Sequence, residues 1–343
     1  RGPAVTALGP PDPYRHPLAW ARYQAGGLKA YLAGPAWLRR QMRRQLLLAL
    51  IERHVTRIVA VDGDGIRYLI DTADRGPITL RIFSEGRYEE PLVARVSGLL
   101  ADVRDEPRPL ENRAFVDVGA NIGTATLVAL KRFGATRALA LEPHPANLRL
   151  LRMNLIANEL EERATVMGVA ASDGPGELEL EMATHNIGDH RIRTGAESGR
   201  GAVEEGSRAV IRVPAVRLDE AVAEAGIGLD EIGLVWIDVQ GHEPQVLKGA
   251  DSLVDAAVPM LIEYWPYGLA RAGGLDALHR IISERFSEVW NLGEEAGAEA
   301  VAPIDPSDVA LLASRYPSEN DSTNLLLLRA PRSTAAASAA SKR

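Results

Sequence analysis

The 343-residue chain carries 39 Lys and Arg against 46 Asp and Glu, a formal charge of −7, with 46% hydrophobic residues and no cysteine. That length buries a sizeable core, and the lack of cysteine excludes disulfides, thiolate metal sites and cysteine nucleophiles and is compatible with a reducing, cytoplasmic setting. The negative balance offers no general attraction for nucleic acid, and the longest apolar run, residues 46–51, falls far short of the ~20 residues of a membrane span.

Along the chain, residues 1–17 are rich in Pro and Gly and are expected to be irregular. The pattern WLRRQMRRQLLLALIERH over 37–54 predicts a helix with a basic first half, packed through Leu46, Leu47, Leu50 and Ile51. Residues 57–82 alternate around two turn signals, DGDG and RGP, which predicts a small β-meander. Residues 1–110 therefore read as an accessory region of helices and a small β-meander, 111–330 as the main domain, and the Ala/Ser-rich 331–343 as a disordered tail.

The main domain alternates strand and helix: strand 115–118, helix 124–133, strand 137–141, helix 146–160 and strand 164–170. Strands separated by helices imply a parallel sheet with helices on its faces. The Gly-, Glu- and Asn-rich segment 174–207 breaks this rhythm and predicts a hairpin with a long loop, a candidate lid or substrate wall. The alternation resumes with helix 218–225, strand 234–239, helix 244–254, strand 259–264 and helix 275–286, and closes with strands 288–291 and 324–328.

The most informative run is FVDVGANIGTAT, residues 115–126. Gly119 and Gly123 permit a tight turn into a helix whose free N–H groups face the same spot. Their spacing departs from the G-x-G-x-x-G of dinucleotide binders, and Asp117 stands two residues before the first glycine. A carboxylate there suits an ammonium rather than a pyrophosphate. Asp117 and Asn121 thus fit a cofactor with an amino-acid head, S-adenosylmethionine (SAM). Glu142 ends the next strand nineteen residues beyond Gly123, near the ~20-residue offset expected of a ribose-hydroxyl acceptor.

A second run, LVWIDVQGHEPQVLKGA over 234–250, places Asp238, His242 and Glu243 at the end of an apolar strand. In open α/β sheets, ligands bind where neighbouring strands send their helices to opposite faces, so the Asp117 and Asp238 strand ends are expected to be adjacent. Asp238 and Glu243 are candidate general bases with His242 in reserve, although helix capping alone accounts for either carboxylate. His185, Asp189 and His190 in THNIGDHRIR offer a loose set of metal ligands; a polar loop touching substrate or cofactor is the favoured reading, and no metal is expected. Trp265, Tyr264 and Tyr267 in YWPY are candidates to stack on a ring.

FVDVGANIG, ALEPHPANLRLLRMNLIAN, VPAVRLDEAVAEAG, LVWIDVQGHEPQVLKGA and MLIEYWP, in that order over residues 80–330, resemble the FkbM family of SAM-dependent methyltransferases. The resemblance implies a class I, Rossmann-like fold: a doubly wound, mostly parallel seven-stranded sheet with its last strand, 324–328, antiparallel. It implies that Asp117, Gly119, Asn121 and Gly123 hold the methionine end of SAM, that Glu142 holds the ribose, and that Asp238 is the strand-four acid. It further implies O-methylation of a hydroxyl on a small molecule such as a sugar or macrolide. Gln240 departs from the family, which commonly carries Glu there. A nicotinamide-dependent oxidoreductase and a non-catalytic SAM-binding protein are the alternatives.

Overall fold

The computed structural model describes residues 57–184, 186–194, 208–293 and 301–330. The segment 1–17, the helix expected over 37–54, the tail 331–343 and His185 lie outside them. The elements below belong to one compact unit beginning at Ile58.

In chain order, β1 (Ile58–Gly63) and β2 (Ile66–Asp71) form an antiparallel hairpin. Helices α1 (Pro77–Glu85) and α2 (Glu90–Arg104) follow it. The central alternation is β3 (Ala114–Val118), α3 (Thr124–Arg132), β4 (Arg137–Leu141), α4 (Pro145–Ala157) and β5 (Ala164–Met167). Next come β6 (Ala170–Ser172), β7 (Gly176–Met182), β8 (Arg191–Ile192), β9 (Ala209–Arg217) and α5 (Leu218–Glu224). The second half runs β10 (Ile232–Ile237), α6 (Glu243–Lys248), α7 (Asp251–Asp255), β11 (Met260–Tyr264), α8 (Pro266–Arg271) and α9 (Leu275–Arg285). It ends with β12 (Glu288–Asn291), β13 (Ala302–Ile304), a 3-10 helix (Pro306–Arg315) and β14 (Thr323–Leu328). No described helix is long and apolar enough to cross a membrane.

The main sheet has eight strands in the order β13-β12-β14-β11-β10-β3-β4-β5. The five from β11 to β5 are mutually parallel, while β14 runs antiparallel to both β11 and β12. From β3 the chain winds outward through β4 to β5, and from β10 it winds the other way through β11. The switch in direction therefore falls between β3 and β10, where a doubly wound sheet opens its ligand crevice. Sheet alternation sorts the core: Phe115, Leu234, Trp236, Leu261 and Leu326 pack in one buried layer, and Val116, Val235, Ile237, Ile262 and Leu325 in the other.

The main sheet exceeds the expected seven strands by β13, a three-residue edge strand paired with β12. The meander expected over 57–82 stops at β2, because Pro77 occupies the first turn of α1, a position where its missing N–H is not needed. The helix expected over 244–254 is two short helices, α6 and α7, broken where the chain passes Gly249. A Cβ at Gly249 would stand 2.0 Å from the Ser172 carbonyl oxygen, so the strand β6 runs directly against it. Of the hairpin expected over 174–207, β7 and β8 pair antiparallel, and they join β6 and β9 from either side of that segment in a separate four-stranded sheet of order β6-β9-β7-β8.

Candidate active site

The ends of β3, β4, β10 and β11 open into two cavities that share Gly119, Asn121, Gly188, Asp238 and Gln240 as walls. The larger, about 340 Å³, is also lined by Tyr88, Glu89, Asp117, Trp236, Glu263 and Trp265. The smaller, about 50 Å³, is lined by Glu142, Asn147, His190 and His242.

Asp117, Gly119, Asn121, Glu142 and Asp238 thus line these cavities, whereas Gly123 lines neither, and several of them do local work first. Asp117 is 1% exposed. Its Oδ2 accepts hydrogen bonds from the Thr126 backbone N–H at 3.1 Å and from the Thr126 hydroxyl, which ties the strand to the first turn of α3. Burial pushes its carboxyl up to about 7, against the pull of the Thr126 bonds.

Gly119 has φ +84°, and a Cβ there would lie 1.9 Å from the carbonyl oxygen of Asp238. The glycine is required by the neighbouring strand end, a reason that sequence spacing alone attributes to a ligand. Gly123, at φ +88°, leaves room for Leu151 of α4. Asn121 takes a left-handed φ of 52°. Its backbone N–H donates to Glu142 Oε2 at 2.8 Å, and its Nδ2 donates to the Ile187 carbonyl at 2.8 Å.

Glu142 accepts through both oxygens, from Asn121 N–H and, at 2.7 Å, from His144 N–H. It therefore latches the two turns together, and burial raises it to about 8 although those bonds favour its charged form. The Asn121 Oδ1 and Asn147 Oδ1 atoms are buried with no partner, which buried polar atoms rarely tolerate without a ligand or water. These orphaned acceptors sit where a cofactor bearing amino and hydroxyl donors would fit.

Glu243 and His242 do not converge on the larger cavity. Glu243 Oε1 accepts from the Val239 and Gly241 N–H groups, each at 3.2 Å, and the side chain, 1% exposed, lines neither cavity. It is not a helix cap, since both donors lie in the loop before α6; the carboxyl instead holds that loop. His242 lines the smaller cavity with Nε2 3.0 Å from Ser172 Oγ, and burial lowers its pKa to about 4.

Of the loose metal set, His185 lies outside the described residues. Asp189 is paired with Arg208 and Arg191, and His190 Nδ1 accepts from Ala183 N–H while its ring lies 3.9 Å from that of His144. Of the YWPY aromatics, Trp265 lines the larger cavity, whereas Tyr264 is buried with its hydroxyl 2.8 Å from His279 Nε2.

Sequence reasoning missed Glu263 and Glu89. Glu263, in β11, receives the Gln240 amide at 2.7 Å, and the same nitrogen donates to Asp238 Oδ1 at 2.6 Å. The available signal was one charge inside the apolar run MLIEY. Glu89 precedes α2 and faces the same cavity; burial and the Asp238 charge push it up to about 8.

Residues 117–297 match the family model described as the Methyltransferase FkbM domain, more than half of the chain. The chain belongs to the FkbM methyltransferase family. The FkbM match favours methyl transfer over hydride transfer, and the cofactor is SAM. Among similar proteins are methyltransferase sdnD of Sordaria araneosa, 27% identical over 41% of this chain and 61% of sdnD, and 2-O-methyltransferase NoeI of Sinorhizobium fredii, 27% identical over 54% of this chain and 75% of NoeI. A third is 31-O-demethyl-FK506 methyltransferase FkbM of Streptomyces tacrolimicus, 31% identical over 39% of this chain and 58% of that protein. The chain thus spans less than two thirds of sdnD and of FkbM.

Proposed function

We propose that this FkbM-family chain transfers the methyl group of SAM to a hydroxyl oxygen of a small molecule, of the sugar or polyketide kind. The observation that carries this reading is the larger cavity, which adjoins the Asp117–Asn121 turn and ends on the Asp238 carboxylate with no Lys or Arg in its described lining. Such a wall accepts protons and repels anionic acceptors, nucleic acid among them. The relatives NoeI, a 2-O-methyltransferase, and FkbM, a 31-O-demethyl-FK506 methyltransferase, agree with it.

In this reading Asp117 and the Asn121 Oδ1 hold the amino-acid end of SAM, and Glu142 and the smaller cavity hold the nucleoside. When bound, SAM supplies a methyl group already activated by its sulfonium. The chain's own task is then to align the acceptor, exclude water with Tyr88, Trp236 and Trp265, and take the hydroxyl proton at Asp238. Glu243 keeps the loop carrying Gln240 in place, and His242 braces the smaller cavity against Ser172.

The test is to incubate the protein with methyl-¹³C SAM and a cell extract and to read the chemical shift of the labelled product. An O–CH₃ signal is expected. A product carrying the label on nitrogen or carbon would contradict the reading.

A further inference from the structure

Asp238 directly follows β10, and the register of β10 with β11 pairs Ile237 with Ile262, so the next residues, Asp238 and Glu263, stand side by side at one sheet edge. Both line the larger cavity. One amide nitrogen, Gln240 Nε2, touches both carboxyls, at 2.6 Å and 2.7 Å. Its two hydrogens allow one bond to each. Delivering that amide requires Gln240 to adopt φ 54°, a left-handed conformation rare for a side-chain-bearing residue. Strain of this kind persists where the surroundings enforce it, commonly at a working site.

The groups facing the two carboxyls do not neutralise them. Asp117 adds a like charge from the adjacent β3 and the buried Glu243 another from behind, Tyr88 and Glu89 approach from the α1–α2 segment, and Ser322 lies beside Glu263. Trp236 and Trp265 complete the wall. Two adjacent carboxyls without a cation cannot both ionise readily, and they titrate as a unit. Consistently, burial and the neighbouring acids raise Glu263 well above its ordinary range, and burial raises Asp238.

We propose that Glu263 is a catalytic residue: with Asp238 it forms a carboxyl pair sharing one proton, aligned by Gln240 as a positioning residue, and this pair receives the acceptor's hydroxyl proton. The inference rests on the O-methylation reading for its chemistry but not for its titration. In the transfer, the acceptor oxygen forms a bond to the methyl carbon as the S–C bond breaks, and sulfur keeps that electron pair. The hydroxyl proton passes to the ionised member, leaving both carboxyls neutral, and one proton returns to solvent as product leaves. A lone buried carboxylate would accept the proton too, but the pair spreads its single charge over four oxygens around the cavity.

Carboxyl infrared difference titrations of the wild type, Glu263→Gln and Asp238→Asn decide the pairing without any acceptor. Glu89, Asp117, Glu142 and Glu243 also titrate near neutral, so the pair is read from the steps that differ between the wild type and each variant. Two separated wild-type steps should give way to one in each single variant, displaced downward from the upper of the two by about one pH unit or more. A Glu263→Gln protein whose Asp238 step has not moved would overturn the pair. Adenosylhomocysteine binding checks that each variant keeps its cleft; where Glu263→Gln fails that check, Glu263→Asp and Asp238→Asn carry the same comparison.

Turnover is read as labelled methyl entering the extract from methyl-¹³C SAM. Glu263→Gln should lose ~10²-fold or more with the KM for SAM unchanged, and Glu263→Asp should recover part of it. Gln240→Ala should shift the pH profile while SAM binding persists. Full turnover in Glu263→Gln would overturn the catalytic role. A label found on nitrogen would instead overturn the O-methylation reading and leave the titration result standing.

Discussion

Asp117 and Glu142 each serve the chain before they can serve a ligand, and this shapes what their removal should do. Asp117→Ala and Glu142→Ala each delete a charge-assisted acceptor worth ~1.5–3 kcal/mol, so SAM affinity measured by calorimetry should fall by that amount or more. Because Glu142 also latches the Asn121 and His144 backbone N–H groups, its variant should in addition show faster amide exchange at those two positions. Unchanged affinity in a folded Glu142→Ala protein would remove the ribose from this cleft. Gly119→Ala should cost more than about 1 kcal/mol of stability, since φ +84° and the Asp238 carbonyl leave no place for a methyl group.

These residues were legible because a strand, a turn and a helix start are local, and spacing alone brings Asp117, Gly119, Asn121 and Gly123 together. Glu263 and Glu89 were not, since their place in the cavity depends on sheet order and on where α2 begins. Glu243 misled for a different reason: its place beside Asp238 in the chain suggests a base, but its side chain turns back to the Val239 and Gly241 N–H groups of the loop, a contact that spacing does not reveal.

Among the elements, the loop between β7 and β8 is tied down at Ile187. Its carbonyl accepts from Asn121 Nδ2 and, at 3.0 Å, from Asn147 Nδ2, and its N–H donates to Asp74 Oδ1 at 3.0 Å. Ile187 is thereby held beside both cavities by α4 and by the turns after β2 and β3. Asn147→Ala should release it at a cost of about 1 kcal/mol, seen as faster exchange of the Ile187 and Gly188 amides and weaker SAM binding. Exchange as slow as in the wild type would show that Asn147 holds nothing. The sequence marked this segment as a lid from its composition, but the tie at Ile187 is backbone chemistry that no side-chain pattern announces. The helix α2 was missed although its signals were present: Pro91 in the first turn and an apolar row at Val93, Val96 and Leu100. Its leading acids and the turns before it obscured the start.

For the molecule as a whole, the crevice concentrates buried acids whose charge is unrelieved. Burial holds Glu89 and Glu142 near about 8 and Asp117 and Glu243 near about 7. A carboxyl whose pKa is raised by folding binds more protons folded than unfolded, so stability falls as pH rises between the ordinary carboxylate range and the raised value. The melting temperature without ligand should therefore decline from pH 5 to pH 8, and SAM, which brings positive charge, should stabilise more at the upper end than adenosylhomocysteine does. A melting temperature that climbs across that window would contradict the burial of these acids. The parallel sheet followed from the alternation of strands and helices, the adjacency of β3 and β10 from the way such sheets open a ligand crevice, and the antiparallel β14 from the family resemblance, whereas the edge strand β13 is too short to leave a pattern.

The most direct measurement is a crystal structure of the protein with adenosylhomocysteine. The account predicts the ribose hydroxyls on Glu142, the amino group at Asp117 and Asn121, and the sulfur opening toward Asp238 and Glu263. A nucleoside bound outside the crevice between β3 and β10, or a sulfur turned away from Asp238, would contradict it.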